Sequence, residues 1–598
     1  VNGTQTLEQA LQGKLPGMMV INQSGLTGTR QKVRVRGTST LLGNPEPVWV
    51  VDGIIQEDPL PFNAAQLTDI GDDNMDMIKN FVGGAIAWLN PSDIDNIVVL
   101  KDASSTAIYG VKAANGVIVI TTKKGERGRL AIGYSGNFST GSKITYDKMN
   151  LMNSKQRVDF SREIYENGGL FTTQQVGYLH WALKYKLREI SLEDFSREVK
   201  RLESMNTDWF DILFCNPFSH NHNVSLSGGS NRSTYRASFG FSDANNTAKG
   251  NSQRKYNGSL SISSSFWERV TASFSLSGAY IKTKGFLGTD PYAYASKTSR
   301  AIACYDEEGE LSFYPLNTGG SEAFRYNYLF EKQHSGNENS TSSLNSSFNL
   351  RLTIMEGLVF STLFGFNYTS VHGESYYSEQ TNYITNLRRY EYHAIDPVTG
   401  IMRQDGSLPH GGMLTQSENR NMNYTWRNSL EYVRVLGKHG ITLMIGQECR
   451  STKIDGSTQT QYGYLPDWGK SFAAVPATEN DEGQYANQYA VTSPKITDQT
   501  SNFLSFYATA SYIYDNRYAF NASIRSDASN RFGQDKRTRY QPVWSVGLRW
   551  NMSREHWLDG QDLLNDVSLQ VSYGYQGNAA ENVGPDLITT IPSSGGID

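Results

Sequence analysis

The 598-residue sequence has only three cysteines, Cys215, Cys304 and Cys449, and they lie far apart. An odd number excludes a fully paired disulfide framework within the chain, and no metal-ligand spacing accompanies them, so isolated thiols are expected. Apolar runs are short, such as Val117–Ile120, and none approaches the ~18 residues of a transmembrane helix. The formal net charge of −4 provides no strong basic field for binding nucleic acid.

Catalytic motifs are also missing from the sequence. There is no Gly-x-Ser-x-Gly elbow and no phosphate-binding Walker loop, and His410–Gly412 resembles an oxyanion-hole segment without a nucleophile to serve. His220 and His222 share one strand face, but no further ligand lies nearby, so we interpret them as strand-end histidines. The carboxylates of Asp306–Glu308 are interpreted as solvated surface rather than a calcium site. We predict no catalytic residue, metal site or cofactor, and no enzyme.

Aromatic residues and glycine are abundant. Aromatics make up 12 % of the chain, with 34 Tyr, and there are 55 Gly. The mean hydropathy of −0.49 resembles that of a soluble protein. It is equally compatible with barrel strands, which face lipid with every second residue only. The composition suits alternating strands with polar interior faces and aromatic girdles.

From residue 130 onward, apolar residues recur with a period of two. About 13 such segments approach the ~9–11 residues that a tilted strand needs to cross a bilayer. A soluble sandwich also alternates, but its strands are nearer ~5–6 residues. A closed barrel is the alternative to helices for spanning lipid with every backbone group satisfied, so we favour an antiparallel transmembrane β-barrel. Representative segments are Leu130–Phe138, Val270–Tyr280, Leu344–Ile354, Leu504–Tyr514 and Val567–Tyr575.

The predicted connections differ in length. Asp515-Asn516 is a candidate tight turn, whereas residues 283–340, 371–420 and 451–500 are long, polar and rich in Gly and Asn. Residues 144–215 are charged and partly helical, as in Ser191–Met205, and should form a large excursion outside the membrane. Short turns on one side and long loops on the other are typical of transmembrane barrels.

Residues 1–125 have a different pattern, which predicts a compact α+β domain ahead of barrel residues 126–598. A capping box at Thr6–Gln9 precedes a short helix that ends at Pro16-Gly17. The predicted strands are Lys32–Arg36, Val48–Val51, Ile97–Leu100 and Gly116–Thr122, and short helices are predicted to start at Asn90–Ile94 and to span Ala103–Tyr109.

Several stretches resemble SusC/RagA-type TonB-dependent outer-membrane transporters. The most specific ones are Leu100–Gly110 and Ala113–Gly125, which lie within the segment that would form the plug of such a transporter. The resemblance extends over essentially the whole chain. The other matching stretches are Leu11–Gly17, Val33–Gly37, Val50–Gly53, Asn206–Trp209, Asn221–Gly229, Arg531–Gly533 and Ser572–Asn578.

The resemblance implies a membrane all-β fold, an antiparallel transmembrane β-barrel with an N-terminal α+β plug domain. Barrels of plugged transporters have about 22 strands, so we expect this chain to hold a partial barrel. The family also carries an extension and a TonB-contacting segment before the plug, whereas this sequence starts at the plug.

The resemblance further implies TonB-dependent active import of a bulky nutrient, a glycan or an oligopeptide, across the outer membrane of a Gram-negative bacterium. The implied partners are a SusD-like surface lipoprotein acting as a lid, the TonB–ExbB–ExbD energy-coupling complex and the lipid bilayer. A dimer of transporter–lipoprotein pairs is also expected, and nucleic acid is not. The alternatives are a siderophore- or cobalamin-type receptor and a passive porin-like or structural barrel; a plug of about 125 residues argues against the second.

Five residues are candidates for facing the substrate. Phe62, Phe81 and Trp88 belong to a long insertion at residues 54–90, which is either a structural elaboration of the plug or a surface exposed to the lumen. Arg34 and Arg36 could bind anions, but a role as plug residues facing a polar lumen explains them better. Substrate contacts should combine stacking by Tyr and Trp with hydrogen bonds from Asn, Ser and Arg.

Overall fold

The structure, a computed structural model, describes most of the chain. The described residues are 7–15, 17–22, 25–35, 46–60, 83–101, 106–169, 176–316, 323–403, 408, 410–473, 494–531, 540–558 and 566–575. The predicted cap at Thr6 and the candidates Arg36, Phe62 and Phe81 lie outside them.

The N-terminal region forms two small sheets, which together with helix α1 (Leu7–Leu11) we call the plug. Strands β1 and β2 form an antiparallel hairpin, and the second sheet has the order β4-β3-β6-β5. Strands β3 and β6 pair in parallel, and the other neighbours in this sheet are antiparallel. The four predicted strands are present, and β1 and β4 are additional. Their bounds are β1 (Met18–Ile21), β2 (Lys32–Val35), β3 (Val48–Val51), β4 (Ile54–Gln56), β5 (Ile94–Leu100) and β6 (Val117–Thr122).

The mixed sheet of the plug is covered on both faces. Trp49, Ile118 and Ile120 pack against α1 and the β1–β2 hairpin, whereas Val50 and Val117 pack on the opposite face with Ala113. Burial on both faces explains why these strands are runs of Val and Ile rather than alternating sequences. Pro91–Asp93 forms a short 3₁₀ turn whose cap, Asn90, accepts a hydrogen bond from the Ser92 N–H, as the sequence predicted.

Thirteen strands of the described residues form one continuous antiparallel sheet, which we call the wall. Its order follows the chain from β7 to β22, with the small β12–β13 hairpin apart and β18 attached to β17. The number agrees with the period-two segments of the sequence. The bounds are β7 (Gly128–Thr140), β8 (Phe218–Gly229), β9 (Ser233–Asn245), β10 (Ser252–Phe266), β11 (Val270–Gly285), β12 (Tyr314–Leu316), β13 (Phe324–Tyr326), β14 (Ser335–Met355), β15 (Leu358–Tyr377), β16 (Gly412–Leu436), β17 (His439–Leu465), β18 (Ser471–Phe472), β19 (Lys495–Tyr514), β20 (Tyr518–Ser529), β21 (Tyr540–Asn551) and β22 (Ser568–Tyr575).

The two faces of the wall differ in polarity. Large apolar side chains such as Ile132, Ile445 and Leu548 are more than half exposed on the outer face. Asn423 and Ser505 are buried on the inner face, against the plug side. An exposed apolar band around a polar interior is the pattern of a transmembrane barrel.

Apart from residues 552–567, the connections at one end of the wall are two or three residues long, whereas most of those at the other end are long. At the short end, Asp515 and Asn516 have φ angles of 51° and 53°, as a tight hairpin turn of type I′ requires. At the long end, residues 141–217, 286–334, 378–411 and 466–494 separate successive strands. The predicted asymmetry of the loops is therefore confirmed, with somewhat different bounds.

Helices are concentrated at the long-loop end. The predicted helical excursion contains α2 (Ser154–Glu166), α3 (Gly177–Lys186), α4 (Leu192–Ser204) and α5 (Trp209–Leu213), and α2 starts with a capping box at Asn153. Later loops add α6 (Pro291–Lys297), α7 (Tyr328–Gln333) and α8 (Asn382–Arg388). None of the helices in the described residues has both the length and the apolarity needed to cross a bilayer.

The long loops have their own hydrophobic cores. Val158, Leu179 and Leu202 join α2, α3 and α4 into a small bundle. Trp209 and Phe210 of α5 pack with tyrosines of the 286–334 loop, including Tyr294. The loops therefore form an ordered layer over the long-loop end of the wall.

Candidate functional site between plug and wall

The contact between plug and wall is predominantly polar. The inner face of the wall presents Ser, Thr and Asn because period-two strands place these residues opposite the lipid-facing apolar ones. A cavity of about 60 Å³ lies between the plug residues Asp52 and Asp93 and the wall residues Ser259, Asn345 and Asn367. This volume and lining suit a few ordered waters. The two parts meet mainly through hydrogen bonds and ion pairs, and Ala279 of β11 is the wall residue that packs into the apolar core of the plug.

Asp93 of the plug is buried against strand β9. The Asp93 carboxylate accepts hydrogen bonds from Arg236 Nη2 at 3.0 Å, Ser238 Oγ at 2.5 Å and Ser259 Oγ at 3.2 Å. The 3₁₀ turn that starts at Asn90 positions Asp93, and Asn90 itself donates to Asn223 Oδ1 of β8 at 2.8 Å. We call Asp93, Arg236, Ser238 and Ser259 the Asp93 cluster.

A second charged contact is formed by Glu57, just after β4. Its carboxylate pairs with Lys112 Nζ of the plug at 3.1 Å and with Arg450 Nε of β17 at 3.8 Å. The guanidinium of Arg450 also lies 4.6 Å from the ring centroid of Phe503. Burial alone would raise the pKa of the Glu57 carboxyl, but the charges of Lys112 and Arg450 outweigh it and lower this pKa. Glu57 is therefore ionised at neutral pH, and with these three residues it forms the Glu57 cluster.

A third group of charges lies mainly within the wall. Arg525 of β20 donates to Asp527 at 2.6 Å and to Glu448 at 3.0 Å. Arg427 Nε donates to the same Glu448 at 2.8 Å. Arg525 Nη1 also reaches the plug, where it donates to the backbone oxygen of Ile108 at 2.7 Å. In this Arg525 cluster the negative partners of both arginines belong to the wall.

Glycine is required where the plug passes this cluster. Gly110 has φ 79° and ψ −162°, a backbone conformation that is essentially restricted to glycine. A Cβ at this position would overlap Asp527 and Arg525. The Tyr109-Gly110 motif of the sequence thus marks a close approach of plug backbone to the wall.

Uncharged and lysine side chains complete the contact. Lys255 Nζ of β10 donates to the backbone oxygens of Ala87 and Leu89 at 2.6 and 2.8 Å. Asn421 Nδ2 of β16 donates to the backbone oxygen of Asp58 at 2.7 Å. These bonds hold plug segments that have no regular secondary structure.

The predicted substrate-facing residues are not brought together within the described structure. Arg34 is half-buried on β2, directly opposite Met19 and on the face of the hairpin away from the core. Trp88 is 8 % exposed and packs in the core of the plug, although it also lines the 60 Å³ cavity. Its placement gives it a packing role. Arg36, Phe62 and Phe81 lie outside the described residues, and a substrate contact for any of the five stays a prediction.

Sequence reasoning missed the residues that join plug and wall, Asp93, Glu57, Arg236, Arg450 and Arg525. One signal was available for the arginines. Arg236, Arg450 and Arg525 occupy inward positions of alternating strands, where Ser, Thr and Asn are the usual residues. A charge at such a position needs a partner, but the sequence does not show which plug residue supplies it.

Other predicted features have simpler outcomes. All three cysteines are free thiols, as expected. His222 shares a hydrogen bond of 2.8 Å with Tyr134, and the ring of His220 lies at a tilt to those of Phe218 and Phe241 near the start of β8. Among the described residues, no group of three or more His, Cys, Asp or Glu side chains is arranged to hold a metal ion.

Comparison with known proteins identifies the plug. Residues 1–117 match the family model of the TonB-dependent receptor plug domain. The TonB-dependent receptor SusC of Bacteroides thetaiotaomicron is 25 % identical over 98 % of this chain and 51 % of its own length. The chain spans about half the length of the curated relatives that it matches.

Solved structures show the same architecture. The RagAB peptide importer in its open-open state gives a TM-score of 0.71 at 22 % identity, with 96 % of this chain and 58 % of that chain covered. Its closed-closed state gives a TM-score of 0.70 at the same identity and coverage. Residues 1–117 thus match a TonB-dependent receptor plug domain, and the chain as a whole is similar in sequence to the SusC receptor and shares its fold with the RagAB importer.

Proposed function

We propose that the chain forms the plug and part of the barrel wall of an active importer for a bulky nutrient in the outer membrane of a Gram-negative bacterium. Residues 1–125 act as the plug and residues 126–598 as barrel with long extracellular loops. The observation that carries this proposal is the polar character of the contact between plug and wall.

A polar contact allows the plug to be displaced and restored. Separating two apolar surfaces in water costs about 25 cal/mol per Å² of apolar area. Hydrogen bonds to Asp93 or from Lys255 can instead be exchanged for bonds to water, and the net contribution of each is about 0.5–3 kcal/mol. A plug held in this way is retained at rest and yields to moderate work.

The proposed source of that work is TonB with its ExbB–ExbD motor, acting from the short-turn end. A SusD-like lipoprotein would cover the opposite end, where the long loops form an ordered layer, and transporter–lipoprotein pairs would associate as dimers. The similarity to a peptide importer supports an oligopeptide substrate; a glycan is the second candidate on the strength of the sequence resemblance. Arg34 is a proposed substrate contact because it faces away from the plug core.

A siderophore- or cobalamin-type receptor is the alternative within plugged transporters. A passive porin is the alternative among barrels, and the plug with its charged contacts argues against it because a porin needs no displaceable stopper. Covalent chemistry is not part of the proposal, since the site contains opposed charges and hydrogen bonds but no activated nucleophile.

Uptake by whole cells tests the proposal. The full-length protein and its lipoprotein partner would be produced in a strain without its own nutrient importers of this type. We expect uptake of labelled oligopeptides or oligosaccharides above the size limit of porins, with loss of uptake when TonB is deleted. A strain that produces the transporter without the lipoprotein is the control for the proposed role of the lipoprotein as a lid. Undiminished uptake without TonB would contradict active import.

A further inference from the structure

Four wall arginines near the plug, Arg236, Arg427, Arg450 and Arg525, fall into two classes according to where their negative partners lie. Arg427 and Arg525 pair with Glu448 and Asp527 on the wall itself. Arg236 pairs with Asp93, on the plug. These pairs respond differently to plug displacement, because only a partner on the plug leaves with it.

Arg450 belongs to the second class. Its ion pair is with Glu57 of the plug, and the separation of 3.8 Å between Nε and Oε1 is longer than a hydrogen bond. When the plug moves away, Arg236 and Arg450 therefore lose their ion-pair partners. The wall carboxylate Glu448, two residues from Arg450, is already paired with Arg427 and Arg525. Arg427 and Arg525 remain neutralised on the wall.

Both arginines of this class have unused hydrogen-bond donors even with the plug in place. Nε of Arg236, and Nε and Nη1 of Arg450, are buried without a hydrogen-bond partner. An arginine guanidinium provides five N–H donors in a planar fork that matches a carboxylate. The plug carboxylates therefore leave N–H donors of both guanidinium groups available for a further hydrogen-bond acceptor.

The surroundings of Arg450 suit recognition of an anion. Thr425 lies directly opposite Arg450 across strands β16 and β17, and Asn423 lies opposite Thr452 in the same ladder. The hydroxyls of both threonines and the amide of Asn423 are buried without hydrogen-bond partners. The ring of Phe503 supports the guanidinium from the side. Together these groups form a polar patch with one fixed positive charge.

We propose that Arg236 and Arg450 bind carboxylates of an acidic substrate in the open lumen, at positions that Asp93 and Glu57 occupy while the plug is closed. This inference rests on the proposed import function and names its substrate class. The two arginines stand on β9 and β17, six strand spacings apart, which corresponds to roughly 28 Å along the sheet at ~4.7 Å per strand. Each would thus act on a different part of a long substrate, and the plug carboxylates would compete with those of the substrate.

The test compares substrates that differ only in charge. One arm uses oligopeptides containing glutamate and matched oligopeptides containing glutamine; the other uses oligomers of a uronic acid and of the neutral sugar. Uptake into cells producing the full-length transporter and its lipoprotein would be measured as kcat and KM for each. We expect an acidic compound to have a KM about 10-fold lower than its neutral match, in at least one arm.

Variants assign that preference to the arginines. Arg450→Gln and Arg236→Gln should each raise the KM for the acidic substrate several-fold and leave the neutral one unchanged. Arg450→Lys, which keeps the charge, should retain part of the preference and covers the case in which the glutamine variant does not fold. Glu57→Gln loosens the plug without removing the arginine, so it should keep the preference. Arg420→Gln is the matched control, because Arg420 pairs with Asp455 on the wall at 3.1 Å.

The outcomes separate this inference from the proposed function. Equal KM values for acidic and neutral substrates in the wild type would overturn the inference while leaving import intact. So would an unchanged preference in both arginine variants. Uptake of neither charge class by the wild type, or uptake that does not require TonB, would contradict the proposed function instead.

Discussion

Replacing Asp93 by Asn tests whether buried charge pairing holds the plug. Asp93 is 5 % exposed and accepts three hydrogen bonds from wall side chains. Asparagine keeps an oxygen acceptor, and the serine hydroxyls can rotate to suit its amide, so the main loss is the charge opposite Arg236. Removing one partner of a buried ion pair costs about 3–5 kcal/mol. The side chain of Arg236 is still 12 % exposed, so we expect the lower end, about 3 kcal/mol.

Hydrogen exchange of plug amides measures this cost. In the full-length protein in nanodiscs, about 3 kcal/mol corresponds to a loss of protection on the order of 100-fold. The loss should appear at paired residues of β5 and β6, such as Val98 and Val119, and not at amides of the wall. Wild-type protein in the same nanodiscs is the reference.

A double variant identifies the origin of the effect. In Asp93→Asn combined with Arg236→Met no unpaired charge remains, so at least half of the lost protection should return. If the two substitutions are simply additive, the pair contributes no coupling and the argument from buried charge is refuted. The argument is also refuted if Asp93→Asn alone lowers the free energy of plug opening by less than about 0.5 kcal/mol, the usual range for surface substitutions.

Three further predictions concern other contacts. Gly110→Ala should destabilise the plug by about 1–3 kcal/mol through backbone strain, seen as lower exchange protection of β6, whereas Gly13→Ala, where no atom lies near, is a control for positive φ alone. The Glu331 carboxyl of α7 accepts a hydrogen bond from the backbone N–H of Asn382 in α8 at 2.6 Å, and burial raises the pKa of this carboxyl to about 7. The stabilisation that protonated Glu331 gives to the α7–α8 contact is therefore complete below the ordinary carboxyl pKa of about 4.3 and is lost as pH rises through about 7. Protease resistance of this loop should fall over that pH range in the wild type but not in Glu331→Gln. Trp209→Ala removes a side chain that is 1 % exposed and should cost the loop layer about 3–5 kcal/mol, measured by thermal unfolding of the loops; unchanged unfolding would contradict a packed loop core.

Much of the fold was predictable because the wall strands follow simple physical rules. Lipid on one side and a polar interior on the other impose a period of two along every strand, as in Val270–Tyr280. Turn chemistry was equally local, since Asp515 and Asn516 tolerate positive φ better than most residues. The short strands β1 and β4 were missed because three or four residues carry too little periodicity to be distinguished from loop.

The candidate site was less predictable because its partners are distant in sequence. Asp93 and Arg236 are 143 positions apart, and Ile108 and Arg525 are 417 apart. Nothing local distinguishes Asp93 from a helix-starting aspartate or Glu57 from a surface glutamate. Trp88 illustrates a different limit, because the sequence left open whether the insertion is structural or faces the lumen, and the structure packs this side chain in the plug core while it also lines the cavity.

The connection between plug and wall has a consequence for the proposed displacement of the plug. Only residues 123–127 separate β6 from β7, so the end of β6 cannot move more than roughly 20 Å from the short-turn rim. Strand β6 is also an inner strand of the plug sheet, between β3 and β5. A displaced plug would thus keep the end of this inner strand near the mouth of the lumen. Return of the plug into the lumen is then an intramolecular step at high effective concentration. The same chain could therefore open and close repeatedly.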